Sequence, residues 1–170
     1  MDEFARSFAG NPGRSGHRMA VESEKRVQGC REAVARLLHA ESPDRVALTL
    51  NATDGLNIAI KGFLRQGDHV ITSRTEHNSI NRPLARMAAE GFITFEKAES
   101  DPDGSVPTAN IEKLIRKETR LIAITHGSNV LGVVNPVHEY GKLARRHGIV
   151  LLLDSSQTVG VEPIDVRSLD

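Results

Sequence analysis

The chain has 170 residues, 39% hydrophobic and 26% charged, which places it in the ordinary globular range with enough length for one sizeable core. Lysine plus arginine and aspartate plus glutamate both number 22, so the net charge is zero and no global field draws in nucleic acid or an anionic membrane. Cys30 is the single cysteine, which excludes an intramolecular disulfide; with no long apolar run and no charged-then-apolar leader, a reducing, cytoplasmic setting is expected.

Residues 1–18 read as an N-terminal arm or loop, because Ala9-Gly10-Asn11-Pro12-Gly13-Arg14-Ser15-Gly16-His17 is too rich in turn formers for a helix or a central strand. Residues 19–38 carry Val27, Val34 and Leu38 at helical spacing, and Glu41-Ser42-Pro43 breaks the pattern. Short apolar or β-branched runs then predict strands at residues 46–50, 69–72, 92–95, 121–125 and 149–153. Between most of them lie helical patterns at residues 54–63, 80–89, 109–116 and 137–147, the last stopped by Gly148. Alternating strand and helix over residues 19–170 implies an α/β fold, a mainly parallel sheet with helices on both faces.

In such sheets ligands sit beyond the carboxyl ends of the strands, so the residues following each strand matter most. They are Asn51-Ala52-Thr53-Asp54-Gly55, Thr75-Glu76-His77-Asn78-Ser79, His126-Gly127-Ser128-Asn129-Val130-Leu131-Gly132 and Asp154-Ser155-Ser156-Gln157. Each has a plain reading: Thr53 as a helix cap, His77 as a solvated loop residue, Asn129 with Gly132 as a turn, Asp154 with Gln157 as a capping box. Each also has a chemical one. A free helix N-terminus, with roughly half a positive charge, binds phosphate, and a carboxylate at a buried strand tip can hold a cofactor. The plain readings do not predict that all four loops share one edge.

Other features are weaker. Gly10, Gly13 and Gly16 follow no strand and match no dinucleotide fingerprint, and no Walker loop exists. The seven histidines lack the close pairing of a zinc helix and one cysteine cannot form a thiolate cage, so no metal site is expected. Cys30, within a predicted helix, reads as buried filler rather than nucleophile.

Ala52-Thr53-Asp54-Gly55, Glu76-His77-Asn78, Ser128-Asn129-Val130-Leu131-Gly132 with Asn135-Pro136, and Asp154-Ser155-Ser156-Gln157 resemble, in order and spacing, the class V aminotransferase family, most of all its cysteine desulfurases. The resemblance runs over residues 10–170 and implies part of the large domain of a fold type I enzyme that uses pyridoxal 5′-phosphate. By that resemblance His77 stacks on the pyridine ring and Asp154 pairs with its protonated nitrogen. Gln157 reaches the phenolic oxygen, Asn129 lies near that oxygen and the substrate carboxylate, and Ala52 and Thr53 hold the phosphate. Arg14 and His17 match a segment that reaches the substrate site of the partner subunit in a homodimer. The implied reaction takes sulfur from L-cysteine, leaves L-alanine and passes the sulfur to an acceptor protein. Selenocysteine lyase, epimerase and aminotransferase activities within the family, or a non-catalytic remnant, are the alternatives.

The family's Schiff-base lysine, in a Gly-His-Lys-like loop, and its C-terminal small domain are expected beyond Asp170. Lys97, Lys113, Lys117 and Lys142 do not match the place of that lysine, nor Cys30 that of the desulfurase cysteine. The resemblance therefore implies an N-terminal portion that lacks full activity by itself.

Overall fold

A computed structural model describes residues 2–13 and 16–169. The chain divides into two compact units, Met1–Leu48 with Ile164–Arg167, and Thr49–Pro163 with Ser168–Asp170.

The first unit is helical. Within the predicted N-terminal arm, Asp2–Ser7 forms a short helix, α1, and Arg18–Leu38 forms α2, on which Cys30 is exposed rather than buried as expected. The two are joined through Ser23, whose hydroxyl donates to the Phe8 carbonyl at 2.5 Å and accepts from the Gly10 amide at 3.3 Å. His17 starts α2: its Nδ1 accepts from the Ala20 amide at 3.2 Å, satisfying one of the amides a helix start leaves over. No helix among the described residues is long and apolar enough to cross a membrane.

The second unit carries the sheet. Its elements are α3 (Ala52–Phe63), β1 (His69–Ser73), α4 (Asn78–Ala89), β2 (Thr94–Ala98), α5 (Thr108–Glu112), β3 (Thr119–Thr125), α6 (Val137–His147) and β4 (Val150–Asp154). The four strands are all parallel in the order β2-β1-β3-β4. The chain steps one way from β1 to β2 and the other way from β2 through β3 to β4. Right-handed crossovers taken in opposite directions place their helices on opposite faces. Accordingly Val70, Leu121 and Ala123 pack with Leu56 and Ile60 of α3 and Ile80, Leu84 and Met87 of α4. On the other face Ile71, Ile122 and Ile124 pack with Ile111 of α5 and Tyr140, Leu143 and Ala144 of α6. β4 splits the same way, Leu152 to the first core and Leu151 and Leu153 to the second, as a period of two requires.

Three expected elements differ. Residues 46–50 form no strand and pair with none among the described residues, and Leu48 and Leu50 are 49% and 90% exposed. Their composition favours β conformation, yet a ladder needs a neighbour, which local sequence does not supply. The run expected at 92–95 pairs from Thr94 onward, where the ladder with His69 begins; Ile93 anchors in the core just before it. The helix expected over 109–116 ends at Glu112, because Leu114 and Ile115 donate to residues three back and tighten the chain into turns. Gly148 stops α6 as expected, at φ 64°, a conformation other residues adopt only with strain.

Core energetics follow from this layering. Ile122 on the central strand β3 is fully buried whereas Ile58 on α3 is 60% exposed. In the intact protein Ile122→Ala is expected to cost about 2–5 kcal/mol in denaturant unfolding. Ile58→Ala stays within about 0.5 kcal/mol.

Candidate active site

The carboxyl edge of the sheet at the β1/β3 switch point is where an open parallel sheet leaves a crevice. Here α3 begins, the β1–α4 and β3–α6 loops turn, and β4 ends. Ala52, Thr53, His77, Ser79, Thr125, Gly127, Asn129, Asp154, Ser156 and Gln157 line one cavity.

The start of α3 is open. Asn51, not Thr53, is its cap: Asn51 Oδ1 accepts from the Asp54 amide at 2.9 Å and the Asn51 carbonyl from the Gly55 amide at 3.1 Å. The amides of Ala52 and Thr53 have no acceptor within the helix, and the Thr53 hydroxyl makes no hydrogen bond among the described residues. Lys61, Arg82 and Arg86 line an adjoining groove that shares Thr53, His77 and Ser79. Positive potential therefore gathers at this end.

His77 caps α4. Its Nδ1 accepts from the Ser79 amide at 3.2 Å, with Ser79 Oγ 2.7 Å from the same nitrogen. These bonds fix the imidazole plane and assign the ring proton to Nε2. His77 is exposed, but it is a capped and oriented residue rather than a free loop histidine.

In the β3–α6 loop Ser128 makes the turn, its Oγ accepting from the amides of Val130 and Leu131 and its carbonyl from Gly132, which sits at φ 71°. Asn129 is thereby released from turn duty, exposed and bordering the cavity. Gly127 is required for another reason: a Cβ there would lie 2.7 Å from Thr158 Cγ2, where the loop and the turn after β4 meet. His126 is buried in the same junction, its Nδ1 2.8 Å from Thr158 Oγ1, and burial pulls its pKa down. It is a tie between loops and does not line the cavity.

Asp154 ends β4, buried. Its Oδ1 accepts from the Ser156 amide at 3.0 Å and the Ser156 hydroxyl at 2.5 Å, while Oδ2 accepts no hydrogen bond among the described residues. Turns follow instead of a helix, so Asp154 and Gln157 do not form a capping box. Gln157 is exposed and borders the cavity.

Thus Ala52, Thr53, His77, Asn129, Asp154 and Gln157 converge. His17 lies in the other unit as the cap of α2, and Arg14 falls outside the described residues. Among the described residues no lysine lines the cavity.

Two residues without an assigned role in the sequence reading hold this edge together. Asn135 is buried, donating from Nδ2 to the Thr125 carbonyl at 2.9 Å and accepting at Oδ1 from the Val106 amide at 3.0 Å. Glu76 is also buried. Its Oε1 accepts from Ser73 Oγ at 2.5 Å and from the Thr125 amide at 3.0 Å, and its Oε2 has no partner. Burial above all, with the Asp154 charge in support, pushes its pKa up to about 7 against the Ser73 and Thr125 bonds and Lys97. An acid before a helix start carries no sequence mark of such burial.

The model of the family Aminotransferase class-V matches residues 1–170. The cysteine desulfurase IscS of Shewanella denitrificans is 35% identical over 165 residues, which are 94% of this chain and 40% of that protein. A probable cysteine desulfurase of Halalkalibacterium halodurans is 31% identical, over 99% of this chain and 43% of that protein. Among solved structures, an apo cysteine desulfurase from Thermococcus onnurineus NA1 superposes with a TM-score of 0.88 at 29% identity, covering 99% of this chain and 42% of the other. The structure of SspA in complex with cysteine superposes with a TM-score of 0.92 at 29% identity, covering 98% and 48%. The chain spans about 40% of the length of the first curated relative it matches. It belongs to the class V aminotransferase family.

Proposed function

We propose that this chain supplies the phosphate, ring and ring-nitrogen contacts of a pyridoxal 5′-phosphate site in a cysteine desulfurase, which takes sulfur from L-cysteine and leaves L-alanine. The observation that carries the reading is the convergence on one cavity of an open helix start at Ala52–Thr53 and a buried strand-tip carboxylate with one oxygen uncommitted. The donor set fits the cofactor. Two unpaired amides and a hydroxyl suit a phosphate, and an anionic acceptor suits a protonated pyridine nitrogen. The 35% identity to a cysteine desulfurase over 94% of the chain supports the substrate class.

When bound, pyridoxal 5′-phosphate supplies an electron-accepting ring. In this reading the chain's residues orient it and keep it cationic. Thr53 with the amides of Ala52 and Thr53 anchors the phosphate, and His77, its plane held by Ser79, covers one ring face. Asp154, preorganised by Ser156, would hold the proton on the ring nitrogen, and a buried carboxylate fixed in this way does so without reorganising during the reaction. Gln157 and Asn129 donate toward the phenolic oxygen, with Asn129 also near the substrate carboxylate. Arg14 and His17 are assigned to the substrate site of a partner subunit in a homodimer. We place residues 19–170 in the large cofactor-binding domain, residues 1–18 as an arm, the sulfur acceptor as a separate protein and the enzyme in the cytoplasm.

Asp154→Asn separates this role from a structural one, since the amide oxygen still accepts from Ser156 but cannot hold the ring proton. In the intact protein turnover is expected to fall roughly 10²–10³-fold, with cofactor content and melting temperature little changed. Equal turnover would reduce Asp154 to a turn former. Thr53→Val tests the phosphate end. Its affinity for pyridoxal 5′-phosphate is expected to fall by about 1.5–3 kcal/mol, roughly ten- to a hundred-fold, while affinity for unphosphorylated pyridoxal is unchanged in equilibrium titrations.

A further inference from the structure

Beneath the cavity lies a second carboxyl that the reading above does not use. Glu76 is only 8% exposed and spans the carboxyl edge of the sheet. One of its oxygens takes both available donors, Ser73 on β1 and the Thr125 amide on β3, and the other takes none. An ionised carboxylate in low dielectric gathers more donors than this, because the unpaired oxygen bears the cost of lost water. The charged and titratable groups around it are few. Asp154 on β4 opposes its ionisation, Lys97 on β2 favours it more weakly, and Tyr140 on α6 has its hydroxyl committed to the Val106 carbonyl and its own pKa pushed further up by burial and by Glu76. Burial and Asp154 prevail over the two hydrogen bonds and Lys97, so Glu76 titrates near neutrality. Asp154 is also the group against which the proposed site would seat a cation.

We propose that Glu76 is a positioning residue acting through Asp154: it holds a proton while the cavity lacks a cation, and gives that proton to bulk water when a protonated ring nitrogen is seated against Asp154. This rests on the pyridoxal-phosphate reading of the site. The physical cause is charge compensation. The arriving cation offsets the Asp154 charge that opposes ionisation of Glu76, and the newly ionised Glu76 adds to the negative potential of Asp154, which favours the protonated ring. The sign follows from linkage: the cation binds the ionised form better, so ring affinity rises as pH climbs through the titration of Glu76. A Glu76 that only braces the β1–α4 loop against β3 would show no such coupling.

The probe is 4-deoxypyridoxine 5′-phosphate, which keeps the phosphate, phenol and ring nitrogen but has no aldehyde. Its affinity for the apo form of the intact protein is measured from pH 6 to 8.5, beside Glu76→Gln, which keeps an oxygen for Ser73 and Thr125 but cannot titrate. Ionisations of the probe and of other side chains are common to both proteins. The ratio of the two dissociation constants therefore isolates Glu76, and it is expected to shift on the order of tenfold in favour of the native protein as pH rises. A ratio constant with pH overturns the proposal. Should the variant not fold, carboxyl ¹³C NMR of the native protein decides: the Glu76 carbon is expected to titrate at lower pH with the probe bound than in the apo form, and a titration unchanged by the probe overturns the proposal. Binding of the probe by neither protein at any pH overturns the pyridoxal-phosphate reading, and this proposal with it; binding of the probe with no loss of the Glu76 proton sinks the proposal alone.

Discussion

The parallel register that sets Thr125 of β3 beside Asp154 of β4 is the constraint on which the site depends. In a strand successive side chains point to opposite faces, so Leu152 and Asp154 share a face with the α3/α4 core while Leu151 and Leu153 serve the other. A slip of one residue would turn the carboxylate toward the α5/α6 side chains and exchange the leucines between the two cores. The apolar packing of β4 thereby determines where the charge goes. Asp154 occupies the last position of the strand, where the ladder stops and the Ser156 donors become reachable.

The loops around this edge are held by buried polar ties rather than by apolar packing. Glu76 joins Ser73 to Thr125, Asn135 joins Thr125 to Val106, and His126 joins the β3–α6 loop to Thr158. Satisfied in pairs, such groups specify one loop geometry, and a low local dielectric makes losing any one of them costly. Thr125 is the hub, bonded through its amide to Glu76 of the β1–α4 loop and through its carbonyl and hydroxyl to Asn135 and Gly127 of the β3–α6 loop. The cavity-lining residues that carry the proposed chemistry are nearly the reverse: the Thr53 hydroxyl, Asn129, Gln157 and Asp154 Oδ2 have no hydrogen-bond partner among the described residues. The local architecture commits its hydrogen bonds to the scaffold and leaves these atoms of the cavity lining uncommitted.

Charge is also divided across the cavity. The cations Lys61, Arg82 and Arg86 border the groove that adjoins the cavity at Thr53, His77 and Ser79, and Asp154, whose charge is felt by Glu76, lines the cavity but not that groove. A ligand carrying an anionic group at one end and a protonated nitrogen at the other is aligned by that field before any close contact forms. No net charge on the chain is needed for this, and none is present.

The sequence by itself determined the alternation of strands and helices, the stop at Gly148 and the order of the four polar loops, because hydrophobic period, turn formers and motif spacing are written locally. His77 and Asp154 could be singled out for the same reason, as polar residues placed just after apolar runs. Tertiary structure alone decided the rest. Residues 46–50 have the composition of a strand but pair with none among the described residues, since a ladder depends on a neighbour distant in the chain. Asn51 displaced Thr53 as the cap because cap geometry turns on which side chain reaches the third amide. The burial of Glu76, and with it the displaced pKa, arises where β1, β3 and β4 come together; no local pattern records how much water a carboxyl will lose when strands from three parts of the chain close over it.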